Sequence, residues 1–236
     1  SCLETRGGEV TARGRAAALG HVYLALDLVG RERFLKLLAQ DFDVDESSVD
    51  SAVNNLRNST NKESRHIAQT VLKKTLIAPR IKLLTQFNAL PDGVKFLVDM
   101  RGELIALNSN ETAMQALEYD LREILTSWFD VDFLELRRIT WDTASAALLE
   151  KLIAYEAVHA IDGWDDLKNR LDSDRRCFAY FHPRMPDEPL IFVEVALVNG
   201  LEGNIQSLLD ENAPVLDPHN ANTAIFYSIS NAQKGL

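Results

Sequence analysis

Two serines set one residue apart, Ser228 and Ser230, close the alternating segment TAIFYSIS at 223–230, and a short run containing glycine, NAQKGL at 231–236, follows them. Alternation of that kind is the period of a β-strand, which turns residues i and i+2 to one face. Both hydroxyls therefore fall together at the carboxyl end of the strand. The run after it, with Gln233 and Gly235, reads as the start of a loop whose amides would cradle a phosphate ahead of a helix. A second region lies upstream, where LIFVEVALV at 190–198 is apolar and β-branched with Glu194 as its one charge. Such a run predicts a strand buried on both faces, central in a sheet. Asn199 and Gly200 end it, Gly203 permits close backbone approach, and Asn204 opens an amphipathic turn of Ile205, Leu208 and Leu209.

Other reactive side chains carry less. No G-x-S-x-G elbow and no Ser-His-Asp order accompanies the serines. His21, His66 and His219 have no carboxylate or cysteine partners at metal-ligand spacing, so no metal site is expected. His182, beside Pro183, is expected to be structural, and His159, near a helix end, a packing or capping residue. Cys177 opens a strand and reads as core rather than nucleophile. Glu194 is expected either to pair with an arginine such as Arg176 or Arg184 or to face the site. Asp41, Asp43 and Asp45 open like a calcium loop, but Glu46 stands where glycine is needed and Ala52 where glutamate is needed, so they predict a cap-rich turn.

The elements that must position these groups change in kind along the chain. From Gly8 to about Leu90, leucines at three- and four-residue spacing predict helices, with Gly30 as the break between the first two. Asp45 caps a third helix, Ser59 and Thr60 a fourth, and Pro79 opens a fifth. Pro91, Asp92 and Gly93 form a turn expected to divide a helical scaffold or oligomerisation domain, 1–92, from a second domain, 93–236. Two more helices follow it, at 94–107 and 111–128. Beyond Phe133 strands appear: a first near Ile139 and Thr140, a second at 177–181 and the two already named. Between them lie short helices, one capped by Asp142 or Thr143 and one at 164–171.

With 236 residues the chain can bury a sizeable core. A net charge of −10 with scattered lysines and arginines argues against non-specific nucleic-acid binding. Cys2 and Cys177 alone are too few for a disulfide scaffold, which suggests a reducing compartment. No apolar run approaches the roughly 20 residues needed to cross a bilayer, and no signal-peptide pattern opens the sequence. A cytoplasmic protein is the expectation, although a targeting segment outside this sequence would not be visible.

Several longer motifs resemble one family. RRITWDT at 137–143, EAVHAI at 156–161, CFAYFHPRMPDEPLIFVEVAL at 177–197, GNIQSLL from Gly203, AIFYSISNAQKGL from Ala224 and, among the helices, DGVKFLVDMR from Asp92 resemble the malonyl-CoA decarboxylases. The resemblance covers most of the chain. It implies an α+β protein: an all-α N-terminal helical bundle, then the first part of an acetyltransferase-like mixed α/β catalytic domain, incomplete at its C-terminus. In that fold a central strand ends at the thioester and the following loop takes the CoA diphosphate.

The activity implied is conversion of malonyl-CoA to acetyl-CoA and CO2 without metal or organic cofactor, in a homo-oligomer, dimer or tetramer. The family's serine maps to Ser230, with Ser228 as its neighbour, and its malonyl-CoA contact region to Glu202, Gly203, Asn204, Ile205, Gln206, Ser207 and Leu208. Gln233 and Gly235 fall in the diphosphate loop. The family's proton-donating histidine belongs to a segment beyond Leu236, so this chain alone is expected to be inactive. A CoA-dependent acyltransferase of the same fold and a non-catalytic oligomerisation fragment are the alternatives.

Overall fold

The computed structural model describes residues 8–130 and 133–236; Cys2 lies outside them. Two compact units divide between Ser127 and Trp128. The first holds α1 (Gly8–Ala25), α2 (Leu28–Asp41), α3 (Glu46–Arg57), α4 (Lys62–Thr75), α5 (Pro79–Phe87), α6 (Gly93–Ala106) and nearly all of α7 (Thr112–Trp128). Asp45 caps α3 and Pro79 opens α5. Gly30 does not separate the first two helices. It lies inside α2, where its N–H donates to the side chain of the N-cap residue Asp27 at 2.7 Å, so the aspartate sets the break. Asn61, not Ser59 or Thr60, caps α4, because its side chain and Ser64 form a reciprocal capping box.

The Pro91–Gly93 turn lies inside the first unit. Asp92 adopts a left-handed φ of 54°, and a side chain at Gly93 would come within 2.5 Å of the Phe87 carbonyl oxygen, so the turn folds α6 tightly back on α5. Edge-on contacts join Phe87 to Phe96 at 5.2 Å and Phe96 to Tyr23 at 5.7 Å, and Leu35, Leu84, Leu97, Leu117 and Leu121 are buried in the same unit. Arg80 is buried there, donating to Asp120 at 2.6 Å and to the Ala39 carbonyl at 2.9 Å while pairing with Asp43 at 3.0 Å. The aspartates at 43 and 45 thus serve an ion pair and a helix cap.

The second unit is built on a four-stranded antiparallel sheet in the order β1 (Glu135–Ile139), β2 (Arg175–Phe181), β3 (Ile191–Val198) and β4 (Thr223–Asn231). Together with the helices it makes an α+β architecture. The first strand starts earlier than the sequence suggests, because Glu135–Arg138 lie on a largely exposed edge and lack the apolar run that marks a buried strand. The strand at 190–198 is interior in the sheet, between β2 and β4, but it is not buried on both faces: Phe192, Glu194 and Ala196 are buried, whereas Ile191 is 43% exposed, because among the described residues no layer of helices covers the outer face there. On the sheet's inner face Ile139, Cys177, Ala179, Phe181 and Phe192 pack against Leu149 and Leu152 of α8 (Ala146–Tyr155) and Leu167 of α9 (Trp164–Arg170). Ser145 caps α8 rather than Asp142 or Thr143, since the preceding residues turn before the helix begins. A short helix, α10 (Ile205–Leu209), follows β3. Among the described residues no helix is long and apolar enough to cross a membrane.

Removing the buried guanidinium strands two carboxylates and a carbonyl. Arg80→Ala is expected to lower the unfolding free energy by about 3 kcal/mol, read from urea midpoints at constant slope.

Candidate functional site

The β3–β4 ladder pairs Glu194 with Ser228 and Val195 with Phe226, so Tyr227 is an extra residue that makes a bulge. Strand alternation changes phase there. Phe226 and Ile229 both stay on the exposed face, while Tyr227, Ser228 and Ser230 are buried. Ser228 and Ser230 do share a face, the inner one, opposite Glu194 and Phe192.

Above that face runs the segment after α8. Glu156, the C-cap of α8, accepts three hydrogen bonds on one carboxylate oxygen: from Ser228 Oγ at 2.7 Å, from Val158 N–H at 2.9 Å and from His159 N–H at 3.0 Å. Its second oxygen is buried without a partner. Ala157 N–H donates to Ser230 Oγ at 3.1 Å. The two serines are therefore unlike. Ser228 gives its proton to Glu156, whereas Ser230 accepts at its oxygen and, among the described residues, has no acceptor for its own proton. Ser230 has no exposed surface.

Beside them lies a buried charge network. Arg170 pairs with Glu194 at 3.1 Å, forks onto Asp166 at 2.8 and 3.0 Å and donates to the Ala160 carbonyl at 3.0 Å. Glu194 thus pairs with neither Arg176 nor Arg184. Arg176 donates to the carbonyls of Ser173 and Arg175, while Arg170, on α9 over the inner face, keeps its fork on Asp166 and reaches the Glu194 carboxylate with its remaining Nη1. Burial pushes the Glu194 carboxyl up to about 7, against the Arg170 charge and with help from Glu156. Burial, reinforced by Glu194 and Glu156, also raises the Cys177 thiol, which keeps it a protonated core residue. His182 is structural, its Nε2 on the Trp128 carbonyl at 2.9 Å and its Nδ1 accepting from Arg184 N–H at 3.1 Å.

The remaining expected site residues do not converge on the serines. Asn204 caps α10 through Gln206 N–H, and Glu202 accepts from Asn204 N–H at 3.1 Å; Glu202, Gly203, Gln206 and Ser207 are exposed. Ile205 and Leu208 pack into a small cluster with Ala196 and Tyr227. This segment follows the carboxyl end of β3, where Val198 pairs with Thr223, while Ser230 pairs with Phe192 six residues back, about 20 Å along the strand. Two strand ends coincide only in a parallel pair, and these strands are antiparallel. Gln233 is buried with its amide on the Pro189 carbonyl at 2.8 Å, and Gly235 is buried in the turn after it. Glu156 and the Asp166–Arg170 pair escape sequence reading, although an acid and an arginine four apart on a helix are a usable signal.

Glu194 yields a pH test. A carboxyl that holds its proton more tightly when folded stabilises the fold at low pH and loses that contribution as pH rises through its folded value. The stability advantage of the native chain over Glu194→Gln is therefore expected to shrink between pH 4.5 and about 7 and to level off above, followed by urea unfolding.

Comparison with known proteins gives a consistent pattern. Residues 132–236 match the family model described as malonyl-CoA decarboxylase C-terminal domain, and residues 42–129 the corresponding N-terminal domain. The chain is 33% identical to the mitochondrial malonyl-CoA decarboxylase of Anser anser anser over 95% of its length, covering 47% of that protein. For the Rattus norvegicus protein the figures are 31%, 95% and 48%. The chain thus spans about half the length of these curated relatives. The crystal structure of malonyl-CoA decarboxylase from Rhodopseudomonas palustris superimposes with a TM-score of 0.91 at 40% identity, over 99% of this chain and 56% of that one. The Agrobacterium vitis enzyme gives 0.87 at 37% identity, over 99% and 56%.

Proposed function

This chain belongs to the malonyl-CoA decarboxylase family, and on that premise we propose that its protein converts malonyl-CoA to acetyl-CoA and CO2 with Ser230 as the hydrogen-bond donor to the thioester. When the bond from the α-carbon to the carboxylate breaks, its electron pair moves onto the thioester oxygen as an enolate. A donor aimed at that oxygen lowers the barrier because charge appears there only in the transition state. The carbon then takes a proton, which family resemblance assigns to a histidine beyond Leu236.

The observation that carries this reading is the difference between the two hydroxyls. Ser228 has its proton on Glu156, while Ser230 has its oxygen held by Ala157 N–H and, among the described residues, its proton uncommitted. A hydroxyl so held donates away from Ala157. Ser230 has no exposed surface in this structure, so on this reading its cover must move aside for the thioester to reach it. Segment 202–208, at the far end of β3, is read as the second contact of a long CoA ester. The helical unit is read as the scaffold through which copies assemble into a homo-oligomer.

For the full-length protein, Ser230→Ala is expected to lower kcat for CO2 release about 100-fold, with Ser228→Ala less affected. Turnover unchanged by Ser230→Ala would remove the serine from the mechanism.

A further inference from the structure

Glu156 touches both a strand serine, Ser228, and the backbone above it. Its single partnered oxygen gathers Ser228 Oγ, Val158 N–H and His159 N–H, and between the last residue it caps and the first amide it holds lies Ala157, whose N–H contacts Ser230. Three donors on one oxygen fix the residue's own rotamer and the backbone from 156 to 159 together. The far end of the segment is fixed independently by Arg170 on the Ala160 carbonyl. A short stretch tied at both ends has little freedom, so the direction of the Ala157 N–H follows from the position of the Glu156 carboxylate.

The geometry points to Glu156 as a positioning residue, which by gathering Ser228 and the amides of Val158 and His159 directs Ala157 N–H onto Ser230 and so aims the Ser230 proton at the substrate. This rests on the reading of Ser230 as the donor. Glu156 does not touch substrate itself. Its effect passes through one hydrogen bond to one hydroxyl, and a misplacement of the donor by about 1 Å is enough to slow a positioned reaction by up to about 100-fold. The unpartnered second oxygen needs no charge for this role; one accepting oxygen in place is sufficient.

Steady-state CO2 release by the full-length protein tests it. Glu156→Ala is expected to cut kcat about 10- to 100-fold with little change in KM for malonyl-CoA, and Glu156→Gln, which keeps an accepting oxygen, to restore most of the rate. Combined with Ser230→Ala, Glu156→Ala should add no further loss, because the hydroxyl it positions is gone. Should Glu156→Ala fail to fold, Ser228→Ala serves in its place, with a smaller loss that also vanishes in the Ser230→Ala background. Losses that multiply in the double variant, a glutamine variant as slow as alanine, or an unimpaired Glu156→Ala would overturn the inference and leave the role of Ser230 standing. A Ser230→Ala protein that turns over normally would sink both.

Discussion

Most of what the second unit can do follows from one hydrogen-bonded ladder, the antiparallel pairing of β3 with β4. Its direction puts the serines at one end of the sheet and the α10 turn at the other. The bulge at Tyr227 then sets the phase. Without the extra residue, strict alternation from Thr223 would carry Ser228 and Ser230 to the face that now shows Phe226 and Ile229. One additional backbone position thereby decides whether two hydroxyls meet α8 or water.

The inner face so defined has an excess of negative charge. Arg170 offers one guanidinium, with Asp166 and Glu194 bound to it and Glu156 close enough to be felt at Glu194. Burial within the interior strand is the main reason the Glu194 carboxyl holds its proton more tightly than usual, with Glu156 adding to the effect and Arg170 opposing it. Asp166 takes the bidentate fork and Glu156 has three donors, while Glu194 has one contact from Arg170. The Arg170 contact and the raised carboxyl together let an apolar strand carry a glutamate through the middle of a sheet.

Periodicity and local chemistry made much of this legible. The interior strand, the alternating serine strand, the Asp45 cap and the Pro79 helix start are all encoded by neighbours in sequence, and the α+β class follows from their order. What stayed hidden was non-local. The direction of β4 against β3 has no sequence marker here, so two regions that each close a strand look like neighbours in sequence yet lie at opposite ends of the ladder. Gly30 invites a break by type, yet Asp27 outcompetes it by capping. Asn61 captures α4 through a side chain that directly follows the polar candidates Ser59 and Thr60. The partner of Glu194 is chosen by the packing of α9, and Arg170 stands no nearer in sequence than Arg176 or Arg184.

The burial of Cys177 has a practical side. Its thiol lies under α8 and α9 with its ionisation suppressed by apolar surroundings and two carboxylates, so an alkylating reagent meets a reactive thiolate only when the sheet comes away from its helices. The side chain is thus a native clock for opening of the second unit, labelled at the rate at which that unit breathes.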